Sequence, residues 1–386
     1  MLRVGFGTAL VLAVSALAGC TSTATTASSP RLGLIAVEGP MTGPQASTGI
    51  DMARGAQLAI NQINAGGGVD GVQLRLLRVN DAATAAGGRR AAGNAVSARA
   101  FGVVGPFNSS AGIVSLPMYK QAGLPIVRLT SSAQTEGYGV TTQPMESQVA
   151  PVEVREITHI LRARRPAIIY DTSTYTSGIA TQVKAGLKQA GDPAVGFTPV
   201  TSTQANFRPA LTKLAASHPG LLYIAAYGTE AGQIARTAAT MSLGTCFVDL
   251  AAQGSDFVSA ATRPVARHCL SSGVPSAQQF IRAGSYVTKY EAKFHAQPGT
   301  WGTFTYDSVG ILARAVRRAG WHQNATATTI DHTTGYQGIT GPITIAPRTG
   351  NRTQNTVVIL NINRSGNYVI NHKWAAAASF PLPARP

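Results

Sequence analysis

The chain reads as an α/β protein built from two units, each a mostly parallel, doubly wound sheet. Three observations lead there. Short apolar, β-branched runs alternate with helix-length amphipathic segments along most of the 386 residues, the pattern of parallel strands joined by crossover helices. The runs end repeatedly in Ser, Thr, Asn or Asp, and the carboxyl ends of strands are where open α/β sheets bind ligands. The pattern then restarts around Gln143-Pro144, as expected for a chain long enough to hold about two domains.

Arg31 to Val37 is the first strand, followed by the turn-rich Gly39-Pro-Met-Thr-Gly-Pro. A helix is predicted from about Thr48 to Asn64, because Ala53, Ala56, Ile60 and Ile63 recur at three- and four-residue steps and make one apolar stripe. Gly66-Gly-Gly68 ends it. Val72 to Val79 is the next strand, closing in Asn80-Asp81, and Ala82 to Ala100 is helical. Phe101-Gly-Val-Val is a buried strand stopped by Gly105-Pro106. Asn108, Ser109 and Ser110 follow, then a helix from about Ala111 to Ala122. Leu124 to Leu129 is a further buried strand, and it ends in Thr130, Ser131 and Ser132.

In the second unit, Pro151 to Arg164 and Ile179 to Ala190 are predicted helices, with the strand Ala167 to Tyr170 and a polar loop, Asp171 to Gly178, between them. Val195 to Val200, Leu221 to Tyr227 and Cys246 to Leu250 are strands, joined by helices over about Asn206 to Ser217 and Glu230 to Met241. Helices at about Ala277 to Ala296 and Thr305 to Ala319 come next. Gly335 to Ile370 is β-like, with turns at Gly341-Pro342, Gly350-Asn351 and Ser365-Gly366.

The amino terminus is an address. Met1-Leu-Arg3, an apolar stretch from Val4 to Ala16 and Leu17-Ala-Gly-Cys20 form a signal peptide over residues 1–19, with Cys20 as the lipid-bearing first residue of the mature chain. The Ser/Thr-rich residues 20–30 read as a flexible tether. Export leaves Cys246 and Cys269 as an even pair in an oxidising compartment, so a disulfide is expected. No metal spacing occurs, neither CxxC nor HExxH, and no cofactor motif is found. The net charge of +16 falls to +15 when Arg3 is removed. The basic residues are dispersed without interleaved aromatics, which argues against nucleic acid and leaves an anionic membrane or cell wall as the natural neighbour. Gly-x-Ser-x-Gly and Ser-x-x-Lys are both absent, against an exported serine hydrolase.

Two hydroxyl clusters on adjacent strand ends, Ser109-Ser110 and Thr130 to Ser132, suit a carboxylate or another small anion, with free backbone N–H groups beside them. The competing role for each hydroxyl is helix capping.

Several stretches in order resemble the type I periplasmic binding proteins, specifically the leucine/isoleucine/valine-binding branch of ABC-transporter receptors. They are Gly39-Pro-Met-Thr-Gly-Pro with Gly49, Ala56, Ile60-Asn61, Ile63-Asn64 and Gly67 to Gly71; Val103 to Ser110; Gly123 to Ser132; Tyr170-Asp171 with Tyr175 and Gly178; Tyr223 to Glu230; Tyr306-Asp307; and Gly338 to Gly341. The resemblance implies two lobes joined by three hinge crossings near Gln143, Ser271 and Ala346, with lobe I at 31–143 plus 272–346 and lobe II at 144–271 plus 347–386. It implies a ligand clamped between them by hinge closure. Ser109, Thr130 and Ser132 would hold a carboxylate, and Tyr175 and Tyr227 would close from the second lobe. Thr48 stands where relatives carry an aromatic cover, and Gln253 where amino-acid binders place an acid for the α-ammonium group. Phe304, Tyr306 and Asp307 would lie near the cleft, and Asp307 is the acid available to replace the missing one, its other role being a helix N-cap. The implied partners are a small ligand (a branched-chain or other amino acid, an amide or a small carboxylate) and an ABC permease. The chain is expected to be monomeric and to meet the membrane only through its lipid. The sensing module of a signalling system is the alternative use of the same fold.

Overall fold

Leu32–Gly39 (β1) is the strand around which the first sheet is laid down. In the computed structural model, residues 1, 2, 5, 32–241 and 243–380 are described, so Cys20 and the tether lie outside the described residues. β2 (Gln73–Asn80) pairs with one side of β1 and β3 (Gly102–Val104) with the other; β4 (Ile126–Arg128) and β5 (Val140–Thr141) extend the sheet in the order β2-β1-β3-β4-β5. Every pair is parallel. Helices α1 (Ala46–Ala65), α2 (Ala85–Ser97) and α3 (Ser109–Gln121) make the crossovers.

The chain then passes through α4 (Glu146–Arg155) into a second sheet. Its parallel strands are β6 (Pro166–Asp171), β7 (Gly196–Val200), β8 (Leu221–Ala225), β9 (Thr245–Val248) and β10 (Cys269–Gly273). They are connected by α5 (Thr174–Gln189), α6 (Arg208–Ala215), α7 (Gly228–Ala238), α8 (Ser255–Ala261) and α9 (Arg263–Ala266). After β10 the chain returns to the first sheet's side with α10 (Gly284–Phe294), α11 (Trp301–Ala319) and α12 (Gln323–Asp331). Two small hairpins follow, β11 (Tyr336–Gly338) with β12 (Gly341–Ile343), and β13 (Ile345–Ala346) with β14 (Asn351–Arg352). β15 (Val358–Ile362) and β16 (Tyr368–Ile370) then join the second sheet antiparallel, in the order β16-β15-β10-β9-β8-β6-β7, and α13 (His372–Ala378) closes the chain. The result is the two-lobed α/β fold read from the sequence. The third passage lies between β14 and β15, a few residues beyond Ala346.

Where boundaries shift, the cause is local. α4 begins at Glu146, not Pro151; the proline is tolerated inside the helix, and a π-helical turn, Glu156–Ile160, follows. α5 starts at Thr174, so the expected polar loop is largely helical and Gly178 falls mid-helix. A Cβ there would lie 2.5 Å from Glu146 Oε2, so close approach explains the glycine. The predicted helix at Ala277 to Ala296 is interrupted: a short turn, Ala277–Gln279, precedes α10. Gly341-Pro342 opens strand β12, and the hairpin turn is Ile339-Thr340. The strand β10, the helices α8, α9 and α12 and the strand β5 had no clear sequence signal. Cys246 and Cys269 sit directly opposite one another on β9 and β10 and are joined as a disulfide.

α1 packs against α11 so closely that a Cβ on Gly55 would lie 1.9 Å from the Gly302 carbonyl oxygen. Gly55→Ala is therefore expected to lower stability by about 1–3 kcal/mol. Gly93→Ala, in open space on α2, is expected to raise it by up to about 1 kcal/mol. Urea midpoints of the two variants check both signs.

Candidate functional site

The carboxyl ends of both sets of parallel strands face one boundary. After β3, the segment Phe107 to Ser110 runs into α3; after β4, Thr130 to Ser132 runs into a short turn at Ala133–Thr135. These two segments touch: the Ser132 backbone N–H donates to Ser109 Oγ at 3.3 Å. Both serines are buried. Thr130 is buried beside them, but its hydroxyl donates to Thr135 Oγ1 at 2.8 Å, and its methyl group packs on the helix at Gly112. Ser131 donates to the Pro144 carbonyl at the first crossing. Ser109 and Ser132 are thus the hydroxyls drawn together, while Thr130 is committed to local structure.

From the second sheet come Tyr175, in the first turn of α5, and Tyr227, which precedes α7. The Tyr175 hydroxyl donates to Asp249 Oδ1 at 3.1 Å, and the Ala251 N–H donates to Asp249 Oδ2 at 2.7 Å. Asp249 directly follows β9, a strand end where an acid faces the boundary, and that position is the signal by which sequence reading could have found it. Behind it, Glu153 on α4 accepts from Tyr223 at 2.8 Å and from Ser272 at 2.6 Å. Glu146, at the start of α4, accepts from the Ala133 N–H at 2.9 Å, next to Ser132. Tyr227 meets Phe107 edge to face at 6.2 Å, and Phe107 packs on Trp301 at 4.9 Å. Asp249, Glu146, Phe107 and Trp301 were all missed in the sequence. α11 starts at Trp301, four residues earlier than predicted, and this moves the aromatic contact from Phe304 to Trp301.

Thr48 and Gln253 come together at the mouth of the boundary, where they line a cavity of about 320 Å³ with Asp51, Arg54 and Trp301. Gln253 uses its whole amide on the chain: Nε2 donates to the Val274 carbonyl at 2.8 Å and Oε1 accepts from the Val274 N–H at 2.9 Å. Two expected residues do not join the group. Tyr306 donates to Gln62 at 2.6 Å and lines a different groove with Arg314 and Tyr336. Asp307, inside α11, accepts from Ile339 N, Thr340 N and Thr340 Oγ1 at 2.8, 2.9 and 2.6 Å. Its carboxylate is spent on the β11–β12 turn, neither capping a helix nor reaching the boundary. Among the described residues there is no metal-binding cluster, and no helix is long and apolar enough to cross a membrane.

Three features are those of a protein that holds a small molecule between two halves: two lobes, three chain passages, and polar strand ends meeting across the gap. Residues 34–367 match the profile of the periplasmic binding protein family, and the chain belongs to that family of solute-binding, non-enzymatic proteins. It is 26% identical over 291 residues to the leucine-, isoleucine-, valine-, threonine- and alanine-binding protein of Pseudomonas aeruginosa, covering 74% of this chain and 78% of that one. Two solved structures share its fold. One is LivJ of Streptococcus pneumoniae, a branched-chain amino acid transporter substrate binding protein in complex with isoleucine. It has a TM-score of 0.79 at 22% identity, over 88% of this chain and 98% of the other. The second is the leucine binding protein LivK of Thermotoga maritima, with a TM-score of 0.81 at 20% identity, over 88% and 99%. The fold is that of the type I periplasmic binding proteins.

Electrostatically the boundary is acid-rich. Burial raises the carboxyls of Asp249 and Glu153, and the charge of Asp249 lifts Glu153 further. Burial likewise lifts Asp171 and Glu146 and takes Glu230 to about 8; away from the boundary, on the π-helical turn after α4, it takes Glu156 to about 7. The Tyr175 and Tyr227 hydroxyls are pushed up by burial and by the neighbouring acids. A carboxyl whose pKa is higher folded than unfolded binds more protons in the native state, so its contribution to stability is full below about pH 4 and is lost as pH rises through the folded value. The unliganded protein is therefore expected to melt at a higher temperature at pH 5.5 than at pH 8.5. A melting series across that range, with the opposite slope as the failing result, checks it.

Proposed function

We propose that the chain is a lipid-anchored, extracytoplasmic receptor that binds a small polar ligand, an amino acid first of all, and delivers it to an ABC permease. Cys20 would carry the lipid, and the body would act as a monomer. Lobe I comprises 31–143 and 272–346, lobe II 144–271 and 347–386, with the β13–β14 pair carrying the last hinge on to about 353–357. The observation that carries the reading is the junction of Ser109 and Ser132 on one lobe facing Tyr175 and Asp249 on the other. The two serine hydroxyls and the backbone N–H groups at the start of α3 suit a carboxylate. Asp249 supplies the negative charge that Gln253 lacks for an α-ammonium group, and a buried ammonium needs such a partner. Tyr175 and Tyr227 cover the ligand from the second lobe.

Closure is supported by polar bonds that cross the boundary. Ser110 and Thr174 are linked at 3.0–3.1 Å, Ser47 donates to Asp256 at 2.5 Å, and Thr229 donates to the Pro44 carbonyl at 3.2 Å. A ligand that touches both lobes only in the closed form shifts the equilibrium toward it by its differential affinity.

The test is a thermal-shift screen of the body from about Ser28 onward against amino acids, amides and small carboxylates. A ligand at a hundred times its Kd stabilises by about 2.7 kcal/mol. Ser109→Ala with Ser132→Ala is expected to abolish that shift while leaving the unliganded melting temperature within a few degrees. An unchanged shift in the double variant overturns the carboxylate assignment.

A further inference from the structure

The cavity at the mouth is walled by both lobes, and Arg54 is the one basic side chain among its described lining residues. Ser47, Asp51 and Arg54 follow one another at four- and three-residue steps along α1, so they share a face of that helix. Opposite them, Gln253 to Ser255 carry the second lobe from the turn after Asp249 into α8. Trp301 also lines the cavity, and it packs on Phe107, two residues before Ser109. The cavity therefore adjoins the serine junction, and a ligand seated there would extend into it past Trp301.

The side-chain acceptors of this cavity are committed and its donors are not. Asp51 is buried, and its carboxylate takes the Tyr290 hydroxyl at 3.0 Å, the Gly299 N–H at 2.9 Å and the Gly302 N–H at 2.6 Å. Three donors on one carboxylate offset its charge. Gln253 Oε1 is taken by the Val274 N–H at 2.9 Å, and Gln297 Oε1 by Gln278 Nε2 at 2.8 Å. What remains among the described residues is Gln297 Nε2 and a guanidinium with five N–H donors. Arg54 is half-buried, its Cζ 5.1 Å from the Phe294 ring centroid and the Tyr290 hydroxyl beside it; one hydroxyl cannot engage five donors. Stacking on an aromatic ring would by itself hold an arginine in place. It does not account for a space of about 320 Å³ between two lobes, where the hydroxyls of Thr48, Ser255 and Thr300 can take either role and the other free side-chain groups offer N–H.

Such a cavity is the complement of a carboxylate, which an arginine grips with two parallel bonds. Resting on the reading of the boundary as the ligand site, we infer that the ligand's side chain ends in a carboxylate held by Arg54, and that the ligand is an acidic amino acid. Its α-carboxylate lies at Ser109 and Ser132, its α-ammonium at Asp249, and its distal carboxylate at Arg54 and Gln297. Thr48, a short side chain on the same wall, leaves that passage open. Arg54 stands on one lobe and Gln253 to Ser255 on the other, so the distal carboxylate is enclosed only when the lobes meet, and it adds to the preference for the closed form. The chain's net charge of +16 also draws an anionic solute more strongly than a neutral one.

L-Glutamate with L-glutamine, and L-aspartate with L-asparagine, are pairs that exchange a distal carboxylate for an amide of the same shape. Titration calorimetry on the intact mature body therefore isolates that group. In at least one pair the acid is expected to bind at least tenfold more tightly than its amide. Arg54→Met keeps a stem over Phe294 and removes the donors; it is expected to bring that pair within about threefold, and Arg54→Lys to keep a preference for the acid. Equal or tighter binding of both amides to the unaltered protein overturns the inference and needs no variant. An undiminished preference for the acid in an Arg54→Met protein with an unchanged melting temperature overturns the placement at Arg54. Binding of leucine, isoleucine or valine while neither acid binds defeats this inference and leaves the receptor reading standing. A screen in which no amino acid, amide or small carboxylate binds defeats both.

Discussion

Both sheets run their parallel strands toward the same boundary, and the rest of the molecule depends on that orientation. Strand carboxyl ends lead into helix amino ends, where backbone N–H groups have no intrahelical partner. Directing two such rims at each other makes a gap lined with donors, hydroxyls and short polar side chains. Neither lobe alone could build it, because Ser109 and Ser132 belong to one sheet and Tyr175 and Asp249 to the other. The three passages of chain, after β5, after β10 and between β14 and β15, hold the rims in register, and one apolar core runs on from the first sheet into the second.

The lobes are stabilised by apolar packing on the sheet faces, and the boundary by polar contacts at the strand ends together with the Phe107–Tyr227 aromatic contact. This division explains why so many carboxyls are buried in a basic protein. Glu153, Asp171, Glu230 and Asp249 stand at or behind strand ends, where hydroxyls and backbone amides can bond them, and no lysine or arginine offsets their charge. Most of the positive charge lies elsewhere on the chain, while these four acids stand at or behind the gap.

The alternation of apolar runs with amphipathic segments made the fold legible, because a period of two or of 3.6 is written directly in the residues. Ser109 and Ser132 were legible for the same reason: each follows a run that could only be a strand. Asp307 and Tyr306 were misleading because α11 begins at Trp301, and a four-residue change in its start alters which side chains reach the boundary. Asp249 was passed over in favour of Gln253 because a strand end and a loop a few residues later look alike in sequence. Only the Tyr175 and Ala251 bonds distinguish them. Pro151 and Gly178 suggested helix boundaries that tertiary contacts overrode, the glycine being there to admit the Glu146 carboxylate.

Gln253 shows what the sequence had no means of recording. Its amide clasps both backbone groups of Val274, the first residue past β10, so the loop at the mouth and the strand leaving for the other lobe are one mechanical piece. A single side chain thus ties the rim of the gap to the start of the second passage.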